Sequence, residues 1–135
     1  MSVKPFLLLA PCLAGGCTVQ PPAGLSARAQ SELSAELAGR TAGAPRDCLP
    51  RHDTAEMRAI GPQTILFGSG RTIYRNDIEG ACNGLGQPGY TLVTRSLGGG
   101  QLCRGDIAEV RDLRSGMLRG SCALGAFTPY AKVAR

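Results

Sequence analysis

At 135 residues and 14.0 kDa the chain has room for one small domain, and a core of that size usually needs covalent staples. Three Phe, three Tyr and no Trp, set against nineteen Gly and nine Pro, exclude a long helical bundle or a Rossmann domain and leave a turn-rich β domain. The net charge of +5 comes mostly from arginines scattered singly, with no run of three basic residues, so no nucleic-acid partner is expected.

Residues 1–16 read as an export signal. Lys4 supplies a positive charge, and residues 6–10 begin an apolar run that ends by Ala14. That run is too short to cross a bilayer of about 30 Å, and Pro5 and Pro11 disfavour a spanning helix. Leu13-Ala14-Gly15-Gly16-Cys17 resembles a bacterial lipobox, with small residues directly before a cysteine. The resemblance implies cleavage before Cys17, lipidation of its thiol and attachment to a membrane. Thr18, in place of Asp, points by the same rules to the outer membrane, on its periplasmic side. Without lipidation the chain would be soluble in the periplasm.

Residues 17–46 read as a Pro/Ala/Gly-rich tether. Within them Leu25, Ala29, Leu33 and Leu37 fall four apart, which allows a short helix over residues 26–38 ending at Gly39 or, equally, a frayed linker. Residues 47–135 form the expected domain. Four cysteines lie there, Cys48, Cys82, Cys103 and Cys122, with no C-x-x-C pair and a single histidine, His52. A zinc site or a thioredoxin-type motif is therefore not expected, and neither a metal nor a cofactor is implied. Behind an export signal the even count reads as two disulfides. Three pairings are open; Cys82–Cys103 with Cys48–Cys122 is the one favoured, as it would tie a hairpin locally and join the domain ends.

Along the domain, Asp53 and Glu56 fit a helix N-cap with its reciprocal acid, but Gly61-Pro62 stops the segment within two turns, which allows a short helix or, equally, an extended segment. Residues 63–67 alternate with Ile65 and Phe67 on one face. A Gly-Ser-Gly turn follows, and residues 71–76 return with Ile73 and Tyr74 on opposite faces. Residues 77–89 read as loop, 90–95 as strand and 102–103 as a short extended piece. Residues 107–113 alternate, 117–119 are extended, and 123–130 close the domain. Five to seven short strands predict a mainly β, disulfide-stapled fold, a small antiparallel barrel or sandwich.

A resemblance becomes visible at this point. Thr64-Ile65-Leu66-Phe67, Ile73-Tyr74-Arg75-Asn76, Cys82-Asn83-Gly84-Leu85, Leu102-Cys103-Arg104-Gly105-Asp106 and Ser121-Cys122-Ala123-Leu124-Gly125-Ala126-Phe127 occur in that order. Together they resemble an uncharacterised family of small exported proteobacterial proteins, over residues 47–130. The resemblance implies an envelope location and a β-rich fold, and no activity.

Several motifs carry little. Gly84-Leu85-Gly86-Gln87-Pro88-Gly89 matches G-x-G-x-x-G, but Pro88 and a β-like segment follow where a dinucleotide site needs a helix. Arg104-Gly105-Asp106 spells an adhesion tripeptide that a turn explains better. His52 and Asp53 have no serine in a nucleophile-elbow context. Carboxylates for a hydrolase would come from Asp77, Glu79, Asp106, Glu109 and Asp112, with no pair singled out. Arg71, Tyr74 and Arg75 mark a candidate surface for an anionic ligand. The expected function is a non-catalytic lipoprotein module of the cell envelope, binding or supporting another envelope protein or a polyanionic polysaccharide. The alternative is a small periplasmic hydrolase or carbohydrate-active enzyme using surface carboxylates.

Overall fold

The computed structural model describes residues 24–134. Helix α1 (Ala27–Glu36) starts at Ser26, whose hydroxyl accepts the Ala29 amide at 3.2 Å, as an N-cap serine does. It ends near Gly39, which takes a φ of +70°. Ten strands follow or flank it: β1 (Arg40–Ala42), β2 (Cys48–Pro50), β3 (Met57–Ile60), β4 (Thr64–Phe67), β5 (Thr72–Asp77), β6 (Tyr90–Arg95), β7 (Gln101–Cys103), β8 (Ile107–Asp112), β9 (Leu118–Ala123) and β10 (Phe127–Lys132). This exceeds the five to seven expected because β1, β2 and β3 hold three or four residues each, too few to show an alternation. The expected N-cap at Asp53 is instead one 3-10 turn, Arg51–Thr54, with no capping side chain.

All pairings are antiparallel. The five-stranded sheet runs β1-β10-β5-β4-β3, β2 pairs with β7, and a three-stranded sheet runs β6-β8-β9. Among the described residues no barrel closes, and the arrangement is sandwich-like. The inner face of the large sheet presents Ile65, Phe67, Tyr74 and Phe127 to Ala108 and Val110 of the small sheet, with Leu49, Leu102 and Leu124 completing the core. Phe67 and Phe127 meet edge to face at 5.5 Å, the geometry that ring quadrupoles favour.

The outer face is covered as well. Ala29 and Leu33 of α1 bury Ile60, Leu66 and Ile73, with Leu25 and Leu37 at the margins. Every residue of β4 is therefore buried, where a half-buried strand would alternate. Glu36 accepts a 2.6 Å hydrogen bond from Arg58 on β3, which fastens the end of the helix to the sheet. The helix expected over residues 26–38 is present and packed. The tether reading of residues 17–46 fails from residue 24 onward: α1 covers the sheet, β1 pairs with β10, and Arg46 exchanges backbone bonds of 2.9 Å with Phe127. The fold thus starts some twenty residues before the boundary expected at 47. Export signal and Cys17 lie outside the described residues.

The disulfides join Cys48 to Cys103 and Cys82 to Cys122, which corrects the favoured pairing. Cys48 and Cys103 stand opposite each other in the β2–β7 ladder, their Cα atoms 4.0 Å apart. Cys82 lies on the loop that crosses β9, 5.2 Å from Cys122 between Cα atoms. Two formed disulfides belong to an oxidising compartment rather than a reducing cytosol. Among the described residues no helix is long and apolar enough to cross a membrane.

Candidate functional site

A wide concavity lies between α1 and the loop that follows β5. It encloses about 1180 Å³. Leu25 and Leu33 form one wall, and Ile78, Ala81 and Leu85 the other. The loop wall is built for rigidity. Cys82 is locked to β9, the Ile78 amide donates to Gln63 O at 2.9 Å, and the Leu85 amide to Cys82 O at 3.1 Å. Gly86, at φ +73°, passes so close to Gly61 that a Cβ there would stand 2.7 Å from Gly61 O. The Gly84–Gly89 stretch is thus turn backbone packed on its neighbours, and β6 follows it directly.

The floor is polar yet internally neutralised. Thr64 donates its hydroxyl to Asp77 at 2.7 Å, and Arg75 donates Nε to the same carboxylate at 3.0 Å. Burial works against the Arg75 charge, but Asp77 and Tyr130 outweigh it and hold the guanidinium above its ordinary pKa. Gln30, Gln63, Asn83 and Gln87 add side-chain amides to the rim. Such a groove offers apolar contact, amide hydrogen bonds and no net charge.

The three residues expected to hold an anion do not converge. Arg71 and Tyr74 line a separate depression of about 360 Å³ together with His52 and Asp53, while Arg75 sits in the groove floor. Strand parity sends Tyr74 to the inner core and Arg75, with Ile73, to the helix side. Tyr74 also has local work: its hydroxyl donates to Asp53 at 3.4 Å and Arg46 lies over its ring at 5.6 Å. Burial, and then the Asp53 charge, push its pKa up, so the phenol stays neutral.

The carboxylates have structural partners. Buried Asp106 accepts the Leu97 amide at 3.0 Å and the Cys103 amide at 2.7 Å, which makes Arg104-Gly105-Asp106 a turn closed on its own backbone. Glu109 is bracketed by Arg111 at 2.7 Å and Arg95 at 2.9 Å, and the Arg111 hydrogen bond leads in holding its pKa below the usual range. Asp112 is held low by the amides of Ser115 and Arg114. Glu79 pairs with Arg104 at 2.9 Å. His52 is exposed, 3.5 Å from Asp53. Glu109 and Asp112 are thus held as anions, whereas a general acid at neutral pH needs a raised pKa.

Sequence reasoning missed Thr64, Asp77 and the loop wall as parts of one site. The signal for one wall was present in the four-residue spacing of Leu25, Ala29, Leu33 and Leu37; nothing local pointed to the loop that faces it. In comparisons with protein-family models, with curated proteins and with solved structures, no match to this chain was found.

Proposed function

We propose that the chain is a non-catalytic lipoprotein module of the bacterial envelope that holds an extended peptide segment of another envelope protein in the groove between α1 and the loop 78–87. The observation that carries the reading is the groove itself: apolar walls, an amide-bearing rim and a floor whose single cation is already paired with Asp77. A peptide supplies what such a surface takes, apolar side chains with backbone donors and acceptors between them. A polyanionic polysaccharide would need an unpaired cation in the groove, and the arginine that lines it, Arg75, is already paired with Asp77. The export-type N-terminus, the lipobox-like Cys17 and the two disulfides support an envelope location.

The groove can be filled without touching the core. Ala81 is exposed on its wall, so Ala81→Arg should leave thermal stability within about 0.5 kcal/mol of the parent. The same variant should fail to complement a deletion strain and should lose the covalent protein adduct formed by a photoreactive residue at Gln87. A photoreactive residue at Leu97, on the opposite end of the small sheet, should give no such adduct. Full complementation by Ala81→Arg would contradict the groove reading. Loss of complementation by His52→Gln, in a folded and anchored protein, would make the hydrolase the better reading.

A further inference from the structure

The β8–β9 hairpin ends in an apolar tip that no described residue covers. Leu113, Met117 and Leu118 are 64%, 69% and 54% exposed, on a domain whose other large side chains are mostly buried. The tip is held in one shape. Asp112 accepts the amides of Arg114 and Ser115 at 2.9 and 2.8 Å, its own amide donates to Met117 O at 2.9 Å, and Arg111 donates to Gly116 O at 3.1 Å. A preorganised turn presents these side chains without an ordering penalty.

Two further observations say what the tip meets. Charge is the first. Arg114 and Arg119 flank the apolar residues, and neither has a carboxylate within ion-pair distance among the described residues. Asp112, the acid within the turn, is consumed by the turn amides. The second is where the described chain begins. Gly24 and Leu25 line the groove beside Gly84 and Gln87, and Arg119 packs on Gly84 and lies over the Tyr90 ring at 5.9 Å. The Leu113 amide donates to Gly89 O at 3.0 Å, which places the tip beside that loop. Chain entry and hairpin tip therefore share one end of the sandwich. Residues 17–23 reach at most about 25 Å when fully extended.

We propose that the β8–β9 tip is a membrane-docking element, with Leu113, Met117 and Leu118 entering the interface of an anionic phospholipid bilayer and Arg114 and Arg119 meeting its headgroup phosphates. The apolar trio supplies interfacial burial and the arginines the attraction to anionic lipid. Only the orientation rests on the anchored reading given above; the chemistry of the tip does not.

Because the chain contains no tryptophan, Met117→Trp introduces a single fluorophore at the tip and Leu97→Trp one at the far end of the small sheet. The probe is vesicles of phosphatidylglycerol and phosphatidylethanolamine, with pure phosphatidylcholine as the neutral comparison. The full chain carrying Met117→Trp should show a blue shift and protection from acrylamide on the anionic vesicles, weakened at high salt. Leu97→Trp should show neither. Adding Arg114→Gln should weaken vesicle affinity about fivefold, and Leu113→Ser with Leu118→Ser should abolish the shift. Repeating the series with Cys17→Ser separates the two readings. A tip signal that persists there supports docking even if lipidation fails, and vesicle association without a tip signal overturns docking even if the anchor is real. An equal shift on phosphatidylcholine, or a shift that needs only a higher protein concentration, also overturns it; the latter would assign the tip to a second copy of the chain.

Discussion

Replacing Cys82 and Cys122 together by alanine should lower unfolding stability by about 4 kcal/mol, the loop-closure value for a 40-residue separation. For a domain whose total is of order 5–15 kcal/mol, this is a large share of the stability. Both cysteines are buried, and their disulfide is the covalent tie between the loop 78–89 and the small sheet. Cys48–Cys103 spans 55 residues and should be worth a similar amount in the same treatment. The consequences differ, because Leu49 and Leu102 keep β2 and β7 packed in the core after Cys48 and Cys103 are replaced. Loss of Cys82–Cys122 should therefore also release the groove wall and with it the adduct at Gln87, whereas loss of Cys48–Cys103 should spare it in whatever fraction stays folded. Chemical denaturation of both double variants, with the crosslink read in parallel, checks this. A midpoint for Cys82→Ala with Cys122→Ala that matches the parent would contradict it.

Asn76→Leu should destabilise by about 2–5 kcal/mol, although the two side chains have the same number of heavy atoms and the same branching. Asn76 is fully buried on β5, and its amide closes a two-way clip across the sandwich. Nδ2 donates to Gly125 O at 2.7 Å, and Oδ1 accepts the Gly125 amide at 3.0 Å. Leucine would leave both Gly125 groups buried without partners, the expensive half of a hydrogen bond. Gly125 is fixed for a related reason: a Cβ at that position would run into the carbonyl oxygen of Asp77. Asn76→Leu and Gly125→Ala should thus both lower the denaturation midpoint, and their effects should be strongly non-additive because they disrupt one contact. Additive effects, or an Asn76→Leu midpoint equal to the parent's, would show that the clip is not what holds β5 to the β9–β10 connection.

The longer elements were legible because their side chains alternate or repeat visibly. β6 matches its expected span of residues 90–95, and β8 differs from expectation by one residue at its end. The helix was legible from the spacing of Leu25, Ala29, Leu33 and Leu37, but its partner was not. Whether a lone amphipathic turn docks or frays depends on Ile60, Leu66 and Ile73, which come from three other strands. Disulfide pairing failed for the same nonlocal reason: Cys48 meets Cys103 only because β2 chooses β7, and no spacing announces that choice. The anionic trio is a different kind of miss. The parity that separates Ile73 from Tyr74 also separates Tyr74 from Arg75, so the sequence already held the signal against it. The fragments that carried the family resemblance turn out to hold the fold together, through Asn76, Cys82, Asp106, Gly125 and Phe127. Their presence speaks to architecture and leaves the groove chemistry to be read from geometry.

The decisive measurement is the intact mass of the mature protein recovered from the membrane fraction of its own cells, with its N-terminal peptide sequenced. A lipid-anchored envelope module requires a chain that begins at Cys17 and carries the mass of a diacylglyceryl group there, and Cys17→Ser should release the protein or leave it unprocessed. A mature chain in the soluble fraction, with an unmodified N-terminus at another residue, would contradict it.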